Sequence, residues 1–227
     1  MEKLQIIAHI YNDYKEKFGI PRQSGIIDIE SKIIFEPSFR NKEAFRGIEQ
    51  YNYLWLLWDF SESHGEWSPT VRPPKLGGNT RMGVFATRSP FRPNSIGLSS
   101  VRFNKIEFTK ENGPVITVTG ADILNGTPIY DIKPYIKYAD SHEDANNGFA
   151  LSDISDSLTV EIPDILLCVI DEEKRNTVIK ILSQDPRPAY KSDGNTEYGV
   201  NFADYNIKFN VKDNVLSVTN IEKIKEL

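Results

Sequence analysis

A single cysteine, Cys168, stands in a chain of 227 residues. That excludes an internal disulfide framework and a thiolate-held metal cluster. Three widely separated histidines, His9, His64 and His142, lack the spacing of a metal site and read as packing or surface residues. The sequence contains no Gly-x-Gly, so the usual dinucleotide and Rossmann-type phosphate loops are missing. No Gly-x-Ser-x-Gly nucleophile elbow occurs either. The longest uncharged, largely apolar run covers residues 51–58, far short of the ~20 residues that span a bilayer. Met1, Glu2, Lys3 and Leu4 do not begin a basic segment followed by an apolar one, so no signal peptide is expected. A disulfide scaffold, a zinc finger and a membrane protein are set aside, and a reducing cytosol is the expected compartment.

What the chain does contain is an ordinary globular composition, 39% hydrophobic and 26% charged. A chain of this length buries roughly 70% of the surface it exposes when unfolded, enough for one large domain or two small ones. Its net charge of -5 conceals a strong segregation. Between Trp67 and Ile106 stand Arg72, Lys75, Arg81, Arg88, Arg92, Arg102 and Lys105, with no Asp or Glu among them. An acidic protein that concentrates cationic charge in this way creates a local field suited to an anion. Residues 139–173 are the counterpart, acidic without a Lys or Arg, and read as solvated surface.

Short runs rich in β-branched residues, bounded by Gly, Pro or polar clusters, predict strands over residues 4–10, 25–29, 32–35, 51–60, 83–87, 95–103, 115–120 and 128–132. The aromatic run 51–60 should be buried, with Trp55, Trp58 and Trp67 clustered near it. Residues 42–50 are the one early helix expected. Strands this short without alternating helices suggest a closed or sandwiched β domain over residues 1–140. Residues 141–160 read as an acidic connection. Apolar spacing predicts a helix over residues 164–184, capped by Asp164 and burying Cys168, and a β-rich tail over 198–221. The fold class is therefore mainly β, a small β-barrel followed by a small α+β domain over residues 161–227.

Three constellations carry candidate chemistry. In residues 70–98 prolines hold loops open and glycines permit close backbone approach. There Arg72, Arg81, Arg88 and Arg92 offer forked donors for phosphate or carboxylate. Around Asn125-Gly126-Thr127-Pro128, the groups Asp122, Asn125, Asp131 and Lys133 form either a grip on a polar ligand or a plain hairpin. Gln184-Asp185-Pro186-Arg187-Pro188-Ala189-Tyr190 is a rigid basic-aromatic turn.

These residues carry a family resemblance. Ile20-Pro21-Arg22-Gln23, the segment from Thr70 to Gly97, the run from Asn125 to Tyr135 and the turn from Gln184 to Tyr190 are similar, in order, to the TsaA-like/TrmO family. The resemblance implies a β-barrel tRNA (adenine-N6)-methyltransferase, usually homodimeric. Such an enzyme uses S-adenosylmethionine, without a metal, on threonylcarbamoyladenosine next to the anticodon. It implies S-adenosylmethionine contacts at Pro21, Arg22, Gln23, Ser61, Glu62, Arg88, Leu98, Asp122, Ile123, Leu124 and Asn125. Ser61 and Glu62 replace a frequent His-Gln pair, Ser95 stands where Pro is common, and Tyr11-Asn12-Asp13 replaces a frequent Ser-Pro.

The basic segment makes Arg72, Arg81 and Arg92 the expected tRNA contacts, extended by Arg187 and Lys191. A ureido nitrogen is a poor nucleophile while it keeps its proton, so a general base is expected. Asp131 is the preferred carboxylate, with Lys133 and Tyr135 binding substrate. Two other readings stay open: a non-catalytic S-adenosylmethionine or RNA-binding module, and a methyltransferase acting on another nucleobase or a small molecule.

Overall fold

The computed structural model describes residues 4–63, 65–73, 76, 79–150, 157–187 and 196–224. The N-terminal part comprises β1 (Ala8–Tyr11), β2 (Glu30–Phe35), β3 (Tyr53–Asp59), the short β4 (Thr70–Val71) and β5 (Met82–Gly83), β6 (Ile96–Thr109), β7 (Gly113–Thr119) and β8 (Pro128–Pro134). Six of these strands close into a barrel in the order β1-β2-β7-β6-β3-β8, and β4 and β5 form a separate two-stranded ribbon. Closure removes the free edges that an open sheet would expose. β1 makes the seam, with Ala8 and His9 opposite Ile129 and Pro128.

Period-two alternation explains the wall. On β3, Leu54, Leu56 and Trp58 are buried, while Tyr53, Trp55 and Leu57 alternate with them and are only partly covered. Ile10, Ile33, Val101, Ile116, Val118 and Ile129 complete the same core. Gly97 is what lets Trp58 lie across β6. A Cβ there would come within 2.2 Å of the indole ring.

After β8 comes α1 (Lys137–Asp140), tied to the barrel where the Trp55 indole N–H donates to Asp140. The C-terminal part holds β9 (Thr159–Glu161), α2 (Asp164–Leu167), α3 (Glu172–Ser183), β10 (Tyr198–Phe202), β11 (Tyr205–Lys212) and β12 (Val215–Lys223). Its sheet runs β10-β11-β12-β9, with β9 parallel to β12. α3 contributes Val178, Ile181 and Leu182 to a second core, which also takes Tyr14, Ile27 and Ile29 from the β1–β2 connection. That connection is bolted to α3 and to the sheet. Asp13 pairs with Lys174 at 3.1 Å, and the Glu16 carboxylate accepts from the Asn201 N–H at 2.6 Å.

Several local expectations are corrected. Residues 42–50 form two 3-10 turns, Lys42–Phe45 and Ile48–Gln50, separated at Gly47, whose φ of 88° no helix accommodates. Residues 25–29 are irregular, because they pack side chains into the second core instead of pairing, and residues 84–86 form a 3-10 turn after β5. The helix expected over 164–184 is two helices interrupted at Cys168–Asp171. Asp164 lies inside the first one, after an N-cap at Pro163. The break turns Cys168 to solvent, so it is exposed and not a core residue. Trp67 sits in a loop beside the end of β3 and is 51% exposed, unlike the buried Trp58. β9 begins within the acidic connection expected over 141–160.

Candidate active site at one end of the barrel

The short loop after β7 carries Asp122 to Asn125, and its main chain is locked by the β1–β2 connection. The Asn125 N–H donates to the Tyr14 carbonyl at 2.9 Å, and the Asn12 N–H donates to the Asn125 side-chain carbonyl at 2.9 Å. The Asn12 amide also donates to the Ile123 carbonyl at 2.9 Å. Ile123 is fully buried in the barrel core and the Asn125 side chain holds the Asn12 N–H, so both side chains build the loop.

Asp122 is different. Its carboxylate accepts from the Ser99 hydroxyl at 2.5 Å, and Ser99 in turn accepts from the Trp58 indole N–H at 2.9 Å. Burial pushes the Asp122 pKa up, against the opposing pull of the Ser99 hydrogen bond and the Arg88 charge. The nearby Ser24 main chain pulls weakly in the same opposing direction. Arg88 donates to the Gln23 side-chain carbonyl, which ties the 21–24 loop to the basic segment. Pro21 is buried beneath that loop, while Arg22 and Gln23 are exposed. On the other side of the connection, Lys17 donates to the Glu62 carbonyl and to the Ser63 hydroxyl at 3.3 Å. The structure thus links Gln23 and Arg88 directly, sets the Arg88 charge within electrostatic reach of Asp122, and ties the Ser61–Ser63 turn to the same β1–β2 connection.

The expected base lies on the outer face. β3 places Leu57 in register with Leu98 of β6 on one side and Asp131 of β8 on the other. Leu98 is 55% exposed, so Leu98, Leu57 and Asp131 form one outward row about 10 Å across. Asp131 pairs with Lys133 at 2.9 Å and also accepts the Ile132 N–H at 2.9 Å. Asp122 and Asp131 therefore do not share one grip: the first meets the buried Ser99, the second faces outward. Tyr135 lies two rows further along, 5.5 Å from the Trp55 ring.

Among the expected RNA contacts, Arg72 and Arg81 flank the β4–β5 ribbon, whose register continues to place them opposite each other. Arg81 donates to the Thr70 hydroxyl at 2.8 Å. Arg92 braces its own loop through the Thr87 and Ser89 carbonyls, at 2.9 and 3.2 Å. Arg187 forms a two-pronged pair with Asp185 at 2.7 and 2.8 Å, which occupies much of its donor fork. Lys191 lies outside the described residues, as does Pro188-Ala189-Tyr190 of its turn. Among the described residues, no group of three His, Cys, Asp or Glu side chains is placed to hold a metal.

Sequence reasoning missed the supports of this site. Ser99 and Trp58 look like plain strand residues until the barrel closes. Tyr14 is fully buried beside the Asp122 loop, its hydroxyl without a hydrogen-bond partner among the described residues. Burial and the Asp122 charge push its pKa above the usual tyrosine range. Phe85 and Phe91 were also missed, although their place among acid-free arginines was a readable signal; they are 74% and 50% exposed.

Comparison with known proteins decides the relationship. Residues 9–141 match the family model described as the tRNA-methyltransferase O N-terminal domain, and residues 169–224 match its C-terminal domain. The chain belongs to the tRNA-methyltransferase O family. Among its relatives, the tRNA (adenine(37)-N6)-methyltransferase of Escherichia coli (strain K12) is 39% identical, covering 91% of this chain and 92% of the relative. A putative S-adenosylmethionine-dependent methyltransferase of Pseudomonas aeruginosa is 37% identical over 88% and 89%. A crystal structure of TrmO superposes with a TM-score of 0.78 at 30% identity, covering 97% of this chain and 99% of the other. The TrmO barrel and its C-terminal sheet are thus both present in this family member.

Proposed function

We propose that the protein is an S-adenosylmethionine-dependent methyltransferase acting on N6 of adenine 37 of tRNA, and that its substrate nucleoside is threonylcarbamoyladenosine. The observation that carries this reading is the convergence of Gln23, Arg88 and Asp122 at one end of the barrel, beside an acid-free basic segment. Family membership and the tRNA methyltransferase relatives support it.

The donor set fits S-adenosylmethionine. A mostly buried carboxylate at Asp122 suits an ammonium or hydroxyl group. The Arg88 guanidinium suits a carboxylate, and the half-exposed Leu98 offers apolar surface for an aromatic ring. Pro21, Arg22, Ser61, Glu62 and the main chain of Ile123, Leu124 and Asn125 complete the proposed pocket. When bound, S-adenosylmethionine supplies a methyl group already activated on a sulfonium. The protein's task is then to hold the acceptor nitrogen in line and to take its proton. Asp131 is the proposed acceptor of that proton. Lys133 and the Ile132 N–H orient its two oxygens, and a carboxylate has further lone pairs for an incoming N–H. Tyr135, set against Trp55, is proposed to hold the substrate. No covalent enzyme intermediate is needed.

On the nucleic-acid side, Arg72, Arg81 and Arg92 lie in a segment that also exposes Trp67, Phe85 and Phe91. Cations interleaved with open aromatic faces suit an RNA backbone with unstacked bases. Arg187 and Lys191 are proposed to extend this face. The family resemblance further implies a homodimer working in the cytoplasm, and sedimentation of the purified protein tests the first part. No helix of the described residues is long and apolar enough to cross a membrane. The deciding experiment incubates purified protein, labelled S-adenosylmethionine and tRNA carrying threonylcarbamoyladenosine, then separates the nucleosides. Label in N6-methylated threonylcarbamoyladenosine supports the reading; label in another nucleoside, or none, overturns it.

A further inference from the structure

An open cleft of about 450 Å³ lies on the outer face of the barrel, next to the Leu98–Asp131 row. Its lining includes Asp59, Trp67, Arg92, Ile96 and Tyr130. Asp59 and Ile96 are register partners on β3 and β6, so they form the next outward row beyond Leu57 and Leu98. Ile96 and Leu98 are two residues apart on one face of β6, about 7 Å along the strand. A bulge in the β3–β8 pairing, between Leu57 and Trp58, sets Tyr130 beside this row. Burial and the neighbouring Asp59 charge raise the Tyr130 pKa, and Asp59 itself is only 8% exposed.

The walls are held in place independently of any ligand. The Ser68 N–H donates to the Phe91 carbonyl at 3.1 Å, joining the Trp67 loop to the Arg92 loop. The Phe60 N–H donates to the Ser95 carbonyl at 3.0 Å, and the Ser95 hydroxyl donates to the Pro90 carbonyl at 3.0 Å. The cleft therefore combines one half-exposed indole, an apolar floor at Ile96, the buried Asp59 carboxylate, the Arg92 cation and, at its rim, the exposed Glu66. That is the composition of a site for a flat, polar-edged heterocycle: a face to stack on, and an acceptor for exocyclic N–H groups.

We propose that this cleft receives the unstacked target purine of the RNA, with Trp67 as its stacking wall, the Asp59 carboxylate accepting the ureido N–H that methylation leaves in place and Arg92 meeting its phosphate. The proposal rests on the tRNA methyltransferase reading and adds a base-binding site to it. It explains why a large indole stands half-exposed within a cationic segment. It also places the base one strand row from the proposed cofactor residue Leu98 and the proposed base Asp131.

The test measures single-turnover methylation of tRNA and, separately, S-adenosylmethionine affinity for wild type, Trp67→Ala, Trp67→Phe and Ile96→Trp. Trp67 and Ile96 are both partly exposed, at 51% and 37%, so these changes do not empty a core. Loss of one base–aromatic stack should lower the second-order rate with tRNA by roughly 5- to 100-fold in Trp67→Ala. Trp67→Phe should restore most of the rate, Ile96→Trp should reduce it by filling the cleft, and S-adenosylmethionine affinity should stay within about twofold throughout. If Trp67→Ala and Ile96→Trp both methylate tRNA at rates within twofold of wild type, the cleft does not hold the base, while the function stands. If wild type binds S-adenosylmethionine but methylates no tRNA nucleoside, the function reading fails and the cleft proposal falls with it.

Discussion

Replacing Asp122 with Asn separates a ligand-binding carboxylate from a structural one. The substitution keeps an acceptor for the Ser99 hydroxyl, which lies 2.5 Å away, and so preserves the Trp58–Ser99 chain. Burial raises the Asp122 pKa, which means that the folded state disfavours the charge. The sign follows by linkage. Between the ordinary carboxylate range and the raised value the folded protein binds the proton more tightly than the unfolded chain, so stability falls as pH rises through that window. Above it both states are ionised and the loss is complete. Asp122→Asn should therefore be neutral or mildly stabilising at neutral pH, and should flatten that part of the stability–pH curve. A hydrogen bond to a charged group contributes about 1.5–3 kcal/mol, so S-adenosylmethionine affinity should fall roughly 10- to 150-fold. Calorimetric titration and urea denaturation of the same preparations measure both quantities. A variant destabilised by several kcal/mol with unchanged affinity would refute the reasoning and make Asp122 a structural residue.

The other predictions follow from the same geometry. Asp131→Asn should lower single-turnover methylation at least about tenfold at neutral pH and leave S-adenosylmethionine affinity intact; wild-type turnover across pH would leave positioning alone as the mechanism. Arg72→Ala with Arg81→Ala should reduce the salt slope of tRNA binding by about 1.5 to 2, and an unchanged slope would mean that the RNA face has been misplaced. Gly97→Ala drives a methyl group into the Trp58 ring and should cost roughly 1–3 kcal/mol in urea denaturation. Cys168→Ser should change neither rate nor stability measurably, because the thiol is exposed.

The barrel was legible because its strands carry a period-two pattern that survives without tertiary context, as in the alternation from Tyr53 to Asp59. The short helices were not. Gly47 interrupts one through a single dihedral angle, and the break at Cys168–Asp171 is set by where Ile170 packs in the second core. The residues proposed for the cofactor were singled out as a set in the sequence, and the structure distinguishes among them: Asp122 and Arg88 offer charge, while Ile123 and Asn125 hold the loop. Partners from far along the chain were invisible. Ser99 meets Asp122 only because β6 lies beside the end of β7, and Asp59 reaches the Trp67 cleft only because its strand ends there. Asp131 and Asp122 are close in sequence yet face opposite sides of the wall, which spacing alone did not reveal.

The most direct test of the central claim is nucleoside mass spectrometry of tRNA from cells lacking this protein, with wild type or Asp131→Asn restored. The account predicts that N6-methylated threonylcarbamoyladenosine is absent without the protein, returns with wild type and returns far less with Asp131→Asn. An unchanged nucleoside profile in its absence would contradict the account.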